Sequence, residues 1–301
     1  MSGTAKLTVG PLLFHWRPEV WRDFYFRLAD EAPVDTVHLG EVVCSKRQTF
    51  IAPHLHEVIE RLTASGKEVI LSSLALVMSD RERDAMRALA ADAGDLLVEA
   101  NDLAIAADLA GRPHLIGPFV NVYNEGTLAY LAGKGAVRVC LPAELPLETL
   151  GILAAQRLAE IEVQVFGRLP LALSVRCYHA RSHNLHKDGC QYVCVQDPDG
   201  MPVDTMDGRP FLTVNGTQTM SCRYLNLLGE LAALRKAGVQ RFRLWPQDCD
   251  MVATARIFRA VLEGTLSALE ASEELADLVP SVEFANGYVH GREGHAYVEA
   301  K

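Results

Sequence analysis

Short apolar runs alternate along this chain with longer stretches whose apolar residues recur every three to four positions. The runs read as strands: KLTVGPLLF, TVHLGEVV, EVILSSLAL, DLLVEA, HLIGPFVNV, AVRVCLP, LPLALSVRC and RFRLWP. The helical period marks 18–31, 51–64, 80–92, 102–110, 126–133, 146–160, 222–236 and 250–270. Ser79 or Asp80 is placed to cap the third helix, and Gly66, Gly94, Gly111 and Gly238 stand near helix ends, where a left-handed residue is favoured. Buried strands that alternate with helices are parallel strands joined by crossovers, and eight such units predict an α/β fold, a (β/α)8 TIM-barrel-like single domain over 1–301. An open doubly wound sheet uses the same units, but its phosphate loop is missing: neither G-x-G-x-x-G nor G-x-x-x-x-G-K-[ST] occurs.

The rhythm breaks over 178–221, where DPDG, MDGRP and VNGTQ are turn signals between β-prone pieces such as QYVCV and FLTV. A β-rich insertion after the seventh strand is the expectation. Barrels carry their ligand-binding loops at the C-terminal ends of strands, so the insertion falls where chemistry is expected.

The densest chemical segment is RCYHARSHNLHKDGCQYVC, which spaces Cys177, Cys190 and Cys194 as C-x12-C-x3-C. A cubane cluster takes four soft thiolates, and they can come from distant parts of the chain. Cys44 ends the second strand candidate, on the rim Cys177 would share, and is the expected fourth ligand. Cys222, at the end of the insertion, is the alternative. Zinc fits the spacing less well, since its structural sites favour ligands two to four residues apart. Otherwise Cys140, Cys222 and Cys249 read as small buried apolar residues.

His179, His183 and His186 lie in the cysteine loop beside Arg181 and Lys187, and read as a solvated or anion-facing loop without a ligand role. His56-Glu57 opens like an H-E-x-x-H zinc helix, but the fifth position is Glu60, so a surface helix explains it. Glu41, Lys46, Arg47, Asn101, Asn121, Asn124 and Arg176 stand at strand ends and are candidates to line a barrel mouth. No G-x-S-x-G elbow marks a nucleophile, and the catalytic residues are unassigned.

Composition narrows the partners. Of 301 residues, 49% are hydrophobic and 22% charged, which suits a large core and argues against disorder. Lys plus Arg number 29 against 38 Asp plus Glu; the net charge of -9 disfavours nucleic acid. The start, MSGTAKLTVGPLLFHW, reads as a first strand rather than a leader, and no run approaches the roughly 18 apolar residues of a transmembrane segment. Seven cysteines without a secretion signal are expected to be reduced thiols of a cytoplasmic protein.

EVQVFGRLPLALSVRCYHAR resembles the collagenase-like peptidase family's signature E-x-x-x-F-G-x-x-P-L-A-x-S-x-R-C, and KDGCQYVC resembles the second half of its cluster motif. GEVVCSKR is similar to the N-terminal segment of the family's ubiquinone-biosynthesis branch. The resemblance implies that Cys44, Cys177, Cys190 and Cys194 hold a 4Fe-4S cluster. It further implies oxygen-independent hydroxylation of a prenylated quinone precursor ring, in a heterodimer with a UbiU-like homologous subunit, with a UbiT-like lipid carrier and with prephenate as oxygen donor. RNA hydroxylation, as in sister branches, and a noncatalytic iron-sulfur scaffold are the alternatives. No protease machinery is visible.

Overall fold

The computed structural model describes residues 5–299. Strand β1 (Lys6–Val9) leads to helix α1 (Pro18–Glu31), and the alternation continues through β2 (Thr36–Leu39), α2 (Gln48–Ala64), β3 (Glu68–Ser72), α3 (Asp80–Asp92), β4 (Leu97–Ala100) and α4 (Leu103–Asp108). Then come β5 (His114–Ile116), α5 (Glu125–Gly133), β6 (Ala136–Leu141), α6 (Leu147–Ala155) and the long β7 (Glu160–Leu173). After it stand α7 (Tyr178–Ser182), the strands β8 (Met201–Asp204), β9 (Pro210–Asn215) and β10 (Gln218–Asn226), and α8 (Leu231–Ala237). The chain ends with β11 (Arg241–Leu244), α9 (Met251–Glu263), α10 (Ala268–Leu278) and the two-residue β12 (Phe284–Ala285).

β1 to β7 pair in parallel order, and β11 pairs in parallel with both β7 and β1, which closes an eight-stranded (β/α)8 barrel. Helix faces pack apolar residues on its outside: Trp21, Tyr25 and Leu28 of α1, Val58 and Leu62 of α2, and Phe258 and Leu262 of α9 are buried. Ser79 caps α3 by accepting from the Glu82 N–H. Gly238 ends α8 with φ at 103°. No helix among the described residues is long and apolar enough to cross a membrane.

Several expected elements shift: the helix expected over 250–270 ends at Glu263, with a separate helix at Ala268–Leu278, and the helix expected over 146–160 ends at Ala155. The seventh barrel strand begins at Glu160, and LPLALSVRC is its overhanging tip rather than its barrel portion. The missed stretch EIEVQVF places polar Glu162 and Gln164, both buried, on alternate positions among apolar neighbours. The reading from apolar runs passed over it because its inward face is polar. The helix expected over 222–236 starts only at Leu231, because residues to Asn226 extend β10. β10 runs antiparallel to the β7 overhang, with Gln218 opposite Leu173, and carries β9 and β8 outward as a small antiparallel sheet. QYVCV is not a strand: Val193–Gln196 is a short 3-10 turn.

The barrel lumen holds charge. Arg138 of β6 reaches Glu68 of β3 at 3.0 Å and Arg243 of β11 reaches Glu99 of β4 at 2.5 Å. Those strand pairs are not neighbours, so the side chains meet across the barrel axis. Glu160 accepts from Arg138 and Arg241, and Glu162 from Arg243. Burial opposes ionisation of Glu68, but hydrogen bonds from Arg138 and Thr36 outweigh it and hold its carboxyl at about 2.

Candidate functional site

The residues at the rim of β2 are fixed by a carboxylate. Glu41, buried, accepts the N–H groups of Val43 and Cys44, each at 2.8 Å, which turns the chain so that Cys44 leaves β2 and faces the insertion. Arg47 follows on the next turn. Its guanidinium is buried and donates to the Leu13 carbonyl at 2.8 Å and to Asn215 Oδ1 at 3.0 Å, tying together the loops after β1 and β2 and the β9 strand. Thr217 adds a hydrogen bond to the Val43 carbonyl at 3.1 Å. Lys46 bridges the same rim to the insertion through Asp188 at 3.1 Å.

From the other side come three more thiols. Cys177 follows the tip of β7 and caps α7, its sulfur accepting the Ala180 N–H at 3.4 Å. Cys190 and Cys194 are separated by a loop in which Gln191 and Tyr192 are both left-handed, with φ of 49° and 54°. Only glycine adopts that conformation freely; here it folds the loop back so that both cysteines face Cys44 and Cys177. The Tyr192 ring lies 4.7 Å from Phe50, which packs on His15 at 5.0 Å, a cover of three aromatic rings beside the thiols. Burial, and then Arg47, push His15 down to about 4, so this ring is neutral at physiological pH.

Cys44, Cys177, Cys190 and Cys194 line one cavity, together with Arg47, His179, Lys187 and Gly216. All four are free thiols. Among the described residues, the three-member group whose sulfur, nitrogen or carboxylate oxygen atoms all lie within 4.8 Å is His38, Glu99 and Glu162, in the lumen. The cysteine sulfurs do not form such a group in the described structure; the ligand sulfurs of a zinc ion, about 2.3 Å from it, stand roughly 4 Å apart. A cubane, with an iron at each of four corners, suits a wider cage. The donor set, four soft sulfurs and no carboxylate, fits such a group. Burial raises the Cys194 thiol while the Arg47 guanidinium beside it pulls the other way, and the same opposition acts on Cys44. The lumen group has its own cation instead: the Arg243 guanidinium binds both Glu99 and Glu162.

His179 corrects the reading of its loop. His183 and His186 are not buried, but His179 is, pairs through Nε2 with Asp197 at 2.7 Å, and leaves Nδ1 without a partner in the wall of the cysteine cavity. Cys222 lies outside that wall; its carbonyl accepts from Arg168 at 2.6 Å. Cys140 is buried in the barrel beside Arg243, and Cys249 sits 3.9 Å from Thr254. Of the strand-end polar residues, Asn124 caps α5, Arg176 is exposed, Asn101 binds Ser73, and Asn121 lines a different cavity. His56 and Glu60 form an exposed pair on α2. The lumen residues Glu68, Glu99, Arg138, Glu162 and Arg243 were missed by sequence reasoning, although isolated charges inside strand runs were the available signal.

The sequence profile of peptidase family U32 matches residues 25–299. Among solved structures, the N-acetylneuraminate lyase from Fusobacterium nucleatum is similar at 10% identity over 92% of this chain and 82% of that chain, with a TM-score of 0.50. The dihydropteroate synthase from Thermus thermophilus is similar at 14% identity over 87% and 93%, with a TM-score of 0.44. At such identity the first likeness speaks for the barrel alone.

Proposed function

The chain belongs to peptidase family U32, and from that premise we propose that it is a cytoplasmic, UbiV-type iron-sulfur subunit of an oxygen-independent hydroxylase acting on the ring of a ubiquinone precursor. In this reading it works as a heterodimer with a UbiU-like subunit, receives a prenylated ring from a UbiT-like carrier, and uses prephenate as oxygen donor. The observation that carries the proposal is the convergence of Cys44, Cys177, Cys190 and Cys194 on one cavity. These four would hold a 4Fe-4S cluster, which when bound supplies one-electron chemistry.

The chain's own residues prepare that cage. Arg47, fixed by Leu13 and Asn215, sets a positive charge against Cys194 and favours its thiolate. Glu41 aims Cys44 through two backbone hydrogen bonds. Tyr192, Phe50 and His15 pack ring against ring and brace the turn between Cys190 and Cys194.

Anaerobically purified protein should be brown and contain about four iron atoms per chain, as one cubane requires, with matching sulfide and an EPR signal on reduction. A deletion strain grown without oxygen should lack ubiquinone and recover with this gene but not with its Cys190→Ala version. A colourless protein holding one zinc, or normal anaerobic ubiquinone in the deletion strain, overturns the proposal.

A further inference from the structure

The loop that carries three of the four thiols is a basic segment of an acidic chain. Residues 176–196 hold Arg176, Arg181 and Lys187 against one acid, Asp188, although the chain as a whole carries -9. Asp188 is already paired with Lys46, and Asp197, just beyond the segment, with His179. Arg176 and Arg181 are exposed and, among the described residues, form no salt bridge. Lys187 is partly buried, with Glu82 as its acidic neighbour. His183 and His186, both exposed, complete the collar.

These charges ride on the elements that hold the cage. Arg176 directly precedes Cys177, and the Arg181 N–H donates to the Cys177 carbonyl at 3.2 Å. Lys187 lines the cage cavity. Beside the arginines stand two bared apolar side chains: Val175 is 63% exposed and Tyr178 45%. Apolar side chains rimmed by charge have the composition of a protein contact, whose centre is desolvated and whose rim stays wet. Cys177 and Cys190 are themselves only partly buried. A partner seated on Val175 and Tyr178 therefore stands within one or two residues of a cage ligand, and one residue spans about 3.8 Å between Cα atoms.

A positive collar on a chain of -9 selects a compact acidic partner. A long polyanion such as RNA would run off the collar onto a surface that repels it, whereas a small acidic protein meets the collar alone. We propose that the collar docks an acidic protein carrier of single electrons, which passes one electron into the cage. The docking rests on the charges and the bared side chains. The transfer rests on the reading of the previous subsection, that the four thiols hold a 4Fe-4S cluster, a group that exchanges one electron at a time. In each transfer the carrier is oxidised by one electron and the cluster reduced by one, with no bond made or broken. Such a carrier must leave after every electron, so the contact is a transient one, below about 1,200 Å2, and draws its speed from charge steering.

The test uses the full chain, purified anaerobically, with a plant-type 2Fe-2S ferredoxin as the acidic carrier, cytochrome c as a basic carrier and a single-stranded oligouridylate as a polyanion. Binding is read by biolayer interferometry, and electron uptake by stopped-flow bleaching of the iron-sulfur absorbance after mixing with reduced ferredoxin. At low salt ferredoxin should bind and cytochrome c should not. Raising the salt from about 20 mM to about 300 mM should weaken ferredoxin binding at least about tenfold, as screening shortens the reach of surface charge. Arg176→Glu with Arg181→Glu should slow association by about tenfold to a hundredfold. Lys134→Glu with Lys236→Glu makes the same change of net charge at exposed ends of α5 and α8, on the far side of the barrel, and should slow it no more than about threefold. Should the first pair fail to fold, Arg176→Gln with Arg181→Gln carries the same comparison with a smaller effect. Equal losses in the two pairs, equal binding of cytochrome c, or tighter binding of the oligouridylate than of ferredoxin overturns the docking. A brown protein that bound ferredoxin fails to reduce overturns the transfer and leaves the cluster reading intact. A colourless protein that still binds ferredoxin through the collar sinks the cluster reading and leaves the docking.

Discussion

In the lumen the carboxylates of Glu68, Glu99, Glu160 and Glu162 each meet an arginine, whereas in the cage four thiols share a cavity with Arg47 as their buried cation. Both regions are polar and at least partly buried: Glu99 and Glu162 are fully enclosed, Glu68 and Glu160 reach the surface, and of the four cysteines Cys194 is buried. The lumen closes upon itself: its charges arrive in opposite signs, from neighbouring strands for Arg243–Glu162 and Arg138–Glu160 and from across the barrel for Arg243–Glu99 and Arg138–Glu68, and each strand holds its residue in register. The cage brings together donors of one kind, from two loops, on elements shaped by left-handed residues and a carboxylate-held turn. The lumen matches its charges within the chain, whereas the cage sets four sulfurs of one kind against a single guanidinium.

The largest effect separating the two should come from Arg243→Met. It leaves Glu99 and Glu162 buried without their shared partner, and the expected loss is about 3–5 kcal/mol by urea denaturation. Removing a cage thiol should do far less to the apoprotein, within about 1 kcal/mol for Cys44→Ala, while abolishing bound iron altogether. If Cys44→Ala keeps its iron, the cage is not one ligand set.

Acid should find the lumen first. Glu68 sits at about 2 in the fold against an ordinary 4.5, and Glu99 is held well below the carboxylate range: burial opposes its ionisation, and Arg243 and His38 outweigh it. A carboxyl depressed by folding makes the unfolded chain the stronger proton binder, so its stabilisation is complete above about 4.5 and is lost as the pH falls toward 2. Glu68 is about a third exposed, at 35%. Its share is accordingly discounted, and the urea midpoint should drop by an equivalent of about 1–2 kcal/mol between roughly pH 6 and pH 3. An unchanged midpoint would mean the lumen pairs are energetically idle.

A finer comparison concerns Arg47. Glu41 and Arg47 are both buried, and the guanidinium lies beside Cys194. Arg47→Gln removes a positive charge next to the thiolates, so the midpoint potential of the reconstituted cluster should fall, read by a spectroscopic redox titration; a rise would contradict the electrostatics proposed here. The smallest effect is expected from Cys222→Ala, which should keep full iron, because Cys222 lies outside the cavity wall.

How much of this was legible beforehand varies with the physics involved. Apolar periodicity is a local property, so α1 and α3 were placed to the residue, and the βα rhythm implied the barrel. Cysteines crowd one loop, so Cys177, Cys190 and Cys194 stood out as candidates and Cys44 was added from the rim its strand would share; all four line one cavity. EIEVQVF was misjudged because a polar lumen removes the apolar face by which a barrel strand is recognised. His179 looked solvated because its neighbours are charged, and only the packing of α7 against the turn bearing Asp197 buries it.

The sequence by itself determined the parallel barrel, the place of the insertion and which thiols stand as candidates for the cage, since each rests on residue type and spacing along the chain. The tertiary structure alone decided that Arg243 answers Glu99 across the lumen and Glu162 on the neighbouring β7. It also decided that Arg47 is buried beside Cys194, and that Tyr123, Glu144 and Gln164 converge on one mouth cavity. Closing the barrel brings together side chains from strands far apart in sequence, and no local pattern encodes which of them will meet.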